Sequence, residues 1–380
     1  MEPDVRMDER GQYDVLMPGL PDDLALQCLA RIPRGHYAVC AQVSRSWRRL
    51  IMDKYPEVVE MRRRFGIFED WPFVLLEGPR DFGRVWMALD PVTLQWITLP
   101  PLAAEESFHT ADKECFVAGR NLLVVGIHTK IEPPNYNVHT EQIIWYYDVD
   151  MNVWTLAPAM RVRRCLFASA STGNYGYVAG GTIFGADGRV SNVAERFNSD
   201  TKSWENLPNM NYERKYCSGF IMDNRFYVIG GMNTQGEQHS HGEYYDPATN
   251  VWTTVDSFWP VGPRALLGGG APPLVAVLKD ELYALDADTT ELKHYDKATG
   301  VWTALTVVPG RAHHESGWGL AFKALDGELW VIGGRSPAGQ DVGNILAFKP
   351  DPVNGQHVWR RVTNTLNGGS FCLNCAVMKM

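Results

Sequence analysis

The sequence has no apolar run near the roughly 18 residues that a membrane-spanning helix needs, and Met1–Gly11 is charged throughout. Neither a membrane span nor a signal peptide is expected. Cysteine is sparse and irregular: seven residues, at 28, 40, 115, 165, 217, 372 and 375. An odd, scattered set implies no disulfide framework and fits a reducing compartment, cytosolic or nuclear. Positive charge is not in excess either. With 36 basic and 44 acidic residues the net charge is −8, which argues against nucleic acid and membrane surfaces as partners.

Catalytic patterns are also missing. Gly268-Gly269-Gly270 runs into Ala-Pro-Pro, so it is no phosphate loop. No Gly-x-Ser-x-Gly elbow occurs, and Glu105-Glu106 has nothing that marks an acid/base pair. His239-x-His241 has no third ligand in view, and Cys372-x-x-Cys375 has no second pair, so buried strand cysteines are expected. The reading is no catalytic residue, no metal and no cofactor.

What the sequence does have is aromatics and glycine, with 13 Trp, 15 Tyr, 15 Phe and 35 Gly in 380 residues. The tryptophans recur. A Tyr/Phe-Asp-like turn precedes each of Trp96, Trp154, Trp204, Trp252, Trp302 and Trp359. The spacing is roughly 50 residues, a propeller period rather than a solenoid one. Upstream of the Trp, three units carry an alternating strand that ends in a glycine pair: Gly180-Gly181, Gly230-Gly231 and Gly333-Gly334. Units two and five carry worn versions, Leu123–Gly126 and Leu282–Leu285, and the first has only Phe73–Gly78. Period-two apolar runs make strands. Paired glycines remove side-chain bulk where blades pack closely. The Trp is expected between neighbouring blades.

Six units predict six blades over residues 67–380. The first unit has no innermost strand of its own, and Phe371–Met378 is left over at the other end. That segment is expected to complete the first blade beside Phe73–Leu76, which removes exposed sheet edges.

Residues 1–16 are expected to be disordered, and 17–64 to form a small helical module. Asp22 or Asp23 caps a helix with apolar residues at 24, 28, 29 and 32, and Pro33 ends it. A second helix places Val39, Val43, Trp47, Leu50 and Ile51 on one face, with Arg45, Arg48 and Arg49 off it. Met52–Phe65 forms a further helix, and Arg62-Arg63-Arg64 reads as a solvated face. So few helical residues bury little core alone, which suits a module that docks on a partner.

Leu20-Pro21-Asp22-Asp23, Leu29-Ala30-Arg31-Ile32-Pro33 and Val43-Ser44-Arg45-Ser46-Trp47 together resemble an F-box. Strand, glycine pair, Tyr-Asp and Trp at this period resemble the kelch repeat, most clearly in the two middle units. The order is similar to that of the plant F-box/kelch family. The resemblance implies an all-β six-bladed kelch β-propeller preceded by a small all-α F-box module. It also implies a non-catalytic substrate-recognition subunit of a cullin–RING, SCF-type ubiquitin ligase. In that role the F-box binds a Skp-type adaptor and the propeller binds the protein to be ubiquitinated and degraded by the proteasome. A scaffold that sequesters its partner without ubiquitination is the alternative. The adaptor contact is assigned to Leu20, Pro21, Leu24, Leu29, Ile32 and Pro33, with internal packing as the competing role. For Trp47 internal packing is the expectation.

Four of the six junctions after the Trp strand carry arginine at nearly the same place: Arg164, Arg214, Arg264 and Arg311. Repetition puts them at equivalent positions around the channel mouth. Convergent guanidinium groups suit an acidic or phosphorylated target segment. Tyr212, Tyr216, Phe258, Trp259, His313 and His314 stand near as aromatic anchors. The competing role for any one arginine is to hold the crossover by its backbone carbonyls.

Overall fold

A computed structural model describes residues 15–53, 55–77, 84–102, 108–109, 114–132, 137–184, 188–259, 271–310, 317–334, 344–350, 358–364 and 371–380. The chain divides into two compact units. Among the described residues, one comprises those within 15–69, 90–95 and 379–380, and the other those within 70–89 and 96–378.

The first unit is helical. Helix α1 spans Asp22–Arg31, and its N-cap is Pro21, with no side-chain cap. Asp22 instead accepts from the Leu16 amide at 3.2 Å. Helix α2 is the single turn Tyr37–Cys40, α3 spans Arg45–Met52, and α4 spans Tyr55–Arg64. The expected single second helix is thus two. Ser44 breaks it, because its hydroxyl caps α3 by accepting from the Trp47 amide at 3.1 Å. Val39 and Val43 therefore lie off the buried face, at 64% and 63% exposure. Leu29, Tyr37, Cys40, Leu50, Ile51 and Val58 form the core, with Ile32 and Trp47 packed against it. The Trp47 indole donates to the Leu16 carbonyl at 2.7 Å, so Trp47 is an internal residue. Arg62 departs from the solvated-face expectation. It is buried, donates to the Ala30 and Ile32 carbonyls, and pairs with Glu69 at 2.6 Å. Arg63 and Arg64 stay exposed beside Glu60.

The second unit is a six-bladed β-propeller. From inside outward, blade 1 is Phe371–Lys379, Asp70–Glu77, Arg84–Leu89 and Trp96–Thr98. Blade 2 is Cys115–Ala118, Asn121–Glu132, Asn137–Asp148 and Val153–Leu156, with Phe108–His109 also paired to its second strand. Blade 3 is Ala168–Thr172, Tyr175–Ala179, Ala194–Asn198 and Ser203–Asn206. Blade 4 is Lys215–Met222, Arg225–Met232, Gly242–Asp246 and Val251–Val255. Blade 5 is Leu274–Leu278, Glu281–Leu285, Glu291–Asp296 and Val301–Val307. Blade 6 is Leu320–Leu325, Glu328–Gly333, Asn344–Phe348 and Trp359–Asn364. The C-terminal strand thus lies innermost in the first blade.

The turns before four of the repeat tryptophans share one construction. Asp148, Asn198, Asp246 and Asp296 each accept through Oδ1 from the amide two residues on, at 2.8–3.0 Å. Four residues after each comes a left-handed residue: Asn152, Lys202, Asn250 and Gly300. This local bond fixes the hairpin. Strand pairing then sets Tyr147 opposite Trp154, Phe197 opposite Trp204, Tyr245 opposite Trp252 and Tyr295 opposite Trp302.

Apolar clusters fill the gaps between adjacent blades. The tryptophans lock these gaps with hydrogen bonds. The indoles of Trp154, Trp204, Trp252 and Trp302 donate to the carbonyls of Pro100, Pro158, Pro208 and Phe258, at 2.7–2.9 Å. Each acceptor follows the outer strand of the preceding blade. The glycine pairs serve the same packing. At Gly180, φ is +73°, and a Cβ would sit 2.4 Å from the Arg214 carbonyl oxygen. No side chain fits that approach.

Candidate functional site

The crossover between blades 3 and 4 carries Asn211, Tyr212, Glu213 and Arg214, and Tyr216 follows at the start of the next strand. Arg214 does not reach solvent. It is fully buried and pairs with Glu243 at 2.9 Å, and that carboxylate is fully buried as well. Its other terminal nitrogen donates to the Gly230 and His241 carbonyls at 3.0 and 3.1 Å. Glu243 also accepts the Asn211 amide at 2.6 Å and the Tyr212 amide at 3.3 Å.

The preceding blade repeats the device. Arg164, fully buried, pairs with fully buried Glu195 at 2.6 Å and donates to the Val193 carbonyl at 2.6 Å. Glu195 accepts the amides of Arg161 and Val162 at 2.9 and 3.4 Å. Burial pushes the Arg164 guanidinium down to about 10, with Glu195 pulling the other way. It stays charged at neutral pH.

This corrects the expectation for two of the four arginines. Arg164 and Arg214 staple the crossovers from within and touch no partner from this position. An unpaired guanidinium is costly to bury, and a carboxylate two residues before the aromatic that faces the Trp, Phe197 or Tyr245, supplies the pair. Arg264, Arg311, His313 and His314 lie outside the described residues.

The aromatic anchors divide. Phe258 is 2% exposed and belongs to the core between blades 4 and 5, another correction. Tyr212 is 43% exposed. Its ring centroid lies 4.2 Å from that of His241, which lies 4.7 Å from that of His239. His239 bonds the Glu213 carbonyl at 2.9 Å. Burial and Arg214 hold both imidazoles below the usual histidine range. Among the described residues no cluster of three metal-ligating side chains occurs. Tyr216 is part-exposed with φ +56°. Its ring meets Trp318 edge-on at 6.2 Å, which joins the start of blade 4 to the start of blade 6. Trp318 escaped the sequence reading because it belongs to no Trp strand. The part-exposed crossover set is therefore Tyr212, Tyr216, Trp259 and Trp318.

On the helical unit, Pro21 and Leu24 are exposed, while Leu20, Ile32 and Pro33 are half-buried. Leu29 is 2% exposed and sits in the unit's own core, so its assignment to an adaptor contact is corrected. Val39, Val43 and Met52 add exposed apolar surface. Among the described residues no helix is long and apolar enough to cross a membrane.

Comparison with known proteins places both units. Residues 17–58 match the F-box domain, and residues 163–211 and 213–258 match the Kelch motif. Over 96% of its length the chain is 35% identical to the Arabidopsis thaliana F-box/kelch-repeat protein At1g26930, covering 83% of that protein. It is 35% identical to the Arabidopsis F-box/kelch-repeat protein SKIP11 over 94% of its length, covering 73% of the relative. Among solved structures, that of YjhT aligns with 73% of the chain and 91% of its own, at a TM-score of 0.54 and 13% identity, a likeness of fold alone. With an F-box ahead of six kelch-type blades and full-length relatives at this identity, the chain belongs to the F-box/kelch-repeat family.

Proposed function

We propose that the chain is the substrate-recognition subunit of an SCF-type cullin–RING ubiquitin ligase, working in the cytosol or nucleus. Its F-box binds a Skp-type adaptor, and its propeller presents a target for ubiquitination. It performs no chemistry itself. The observation that carries this reading is the pairing of an F-box bearing exposed Pro21 and Leu24 with a propeller whose crossover face bears exposed aromatics. Apolar side chains left in water at one edge of a small module are a docking surface in waiting.

Leu20, Pro21 and Leu24 make the adaptor contact, with Ile32 and Pro33 at its margin. On the propeller, Tyr216 and the crossover arginines Arg264 and Arg311, with His313, contact an acidic or phosphorylated segment of the target. Repeat register supports the choice of arginines. The place held by Glu195 and Glu243 is taken by Lys293 in blade 5 and Leu346 in blade 6. The position that neutralises Arg164 and Arg214 thus carries no carboxylate in blades 5 and 6.

The test is capture of a purified Skp-type adaptor by the full chain and by a Leu20→Ala, Pro21→Ala variant. Binding by the wild type, lost in a variant with unchanged circular dichroism, is expected. Failure of the wild type to bind would leave a kelch scaffold that sequesters its partner without ubiquitination.

A further inference from the structure

The propeller axis holds a cavity of about 80 Å³, and all six innermost strands line it. Cys115, Ser169, Ser218, Leu274, Lys323 and Cys375 represent blades 2, 3, 4, 5, 6 and 1 in turn. Space of that size holds roughly two or three water molecules or one small oxyanion. Each innermost strand has a neighbour on one side only, so alternate residues of its open edge turn a backbone N–H and a C=O toward the axis.

One cation projects into this space. Lys323 lies three residues into its strand from Leu320, roughly 10 Å along the channel. Lys323 makes no hydrogen bond or ion pair among the described residues. The thiols around it do not neutralise it. Burial raises Cys375 to about 11 against the pull of Lys323, and raises Cys217 to about 11 as well. Both are uncharged at neutral pH. Glu114 is the one carboxylate in the lining. It belongs to the blade 2 side of the axis, where its Oε1 accepts the Leu166 amide.

We propose that the axial channel is an anion site, in which Lys323 and the open-edge amides hold a small oxyanion, a phosphate or a carboxylate. An ammonium at the wall of a narrow channel attracts a counter-ion more strongly than one at the open surface, because less water screens it. Some edge N–H groups are already taken, that of Val117 by the Ser171 hydroxyl and that of Cys372 by the Gly319 carbonyl, and the donors for the anion come from the remainder. This site is independent of the adaptor and target contacts.

The test is titration of the full chain with inorganic phosphate, exchanged for chloride at constant ionic strength and followed by calorimetry and phosphorus NMR line width. A parallel series uses acetate. Saturable one-to-one binding of either ion is expected. Loss of one charge-assisted contact in Lys323→Met should weaken it about tenfold or more, and Lys323→Arg should retain it. Lys323→Gln serves where the Met variant misfolds. No saturable binding of either ion by the wild type, or equal binding by the neutral variants, would overturn the proposal.

Discussion

Arg214 and Glu243 pair at 2.9 Å inside the propeller, both without exposed surface. The pair ties three segments together: the crossover into blade 4, the glycine-terminated second strand and the start of the third strand. It shapes the loop that presents Tyr212 and Tyr216 and makes no outward contact itself.

Removing one partner leaves the other charged and buried. Arg214→Met or Glu243→Gln should each destabilise the propeller by about 3–5 kcal/mol. The double variant Arg214→Met, Glu243→Leu should recover much of that loss, since a well-packed apolar pair avoids desolvation of two ions. Urea midpoints of the two singles and the double test this. Additive losses would mean that the two residues do not act as a pair.

A second prediction separates packing from hydrogen bonding at the blade seams. The Trp204 indole donates to the Pro158 carbonyl at 2.9 Å. Its ring packs on Phe197 and Phe116, at centroid distances of 5.4 and 6.1 Å. Trp204→Phe keeps most of the ring and should cost about 1–3 kcal/mol, chiefly the unmet carbonyl. Trp204→Ala also opens a cavity and should cost about 3–5 kcal/mol. Thermal unfolding distinguishes the two, and equal losses would deny the ring its packing role.

The ring of tryptophans was legible because it is periodic and local: turn, left-handed residue and Trp lie within one hairpin. The fate of Arg214 was not. Its partner Glu243 is far along the chain, in a strand whose alternation looks ordinary. A usable signal did exist. Glutamate stands two residues before Phe197 and Tyr245 and nowhere equivalent in the other described blades, so four arginines never had four acceptors. The break between α2 and α3 was missed for a related reason. Apolar spacing continued across Val43, and only the Ser44 cap told against one helix. Burial of Leu29 and exposure of Leu24 came from which side of α1 the remaining helices cover, a tertiary fact.

That division along α1 gives a third prediction. Leu29 is 2% exposed and Leu24 is 43% exposed. Leu29→Ala should destabilise the helical unit by about 2–5 kcal/mol through transfer and cavity terms. Leu24→Ala should change stability by about 0.5 kcal/mol or less, yet weaken adaptor capture. Unfolding and capture measured on both variants check this; parallel losses at Leu24 would place it in the fold and not the interface.

The last prediction concerns pH. His239 and His241 stand below the ordinary value of 6.5 in the folded chain, with burial as the main cause and Arg214 adding to it. Glu243 and Asp256 pull the other way, on His239 and His241 respectively. The neighbouring Glu213 is held low by its bond to Thr234. An imidazole with a depressed folded value binds fewer protons folded than unfolded, so stability rises with pH through that interval. Stability is therefore complete above about 6.5 and declines as pH falls toward the folded values. Carboxylates such as Glu213 and Asp246, also held low, lose their contribution only further down, near and below their ordinary range. Urea midpoints between pH 7.5 and 5.5 thus isolate the histidines. The wild type should weaken on acidification, and His239→Gln, His241→Gln should flatten the slope. A double variant with the wild-type slope would place the proton uptake elsewhere and leave the Tyr212 loop insensitive to pH.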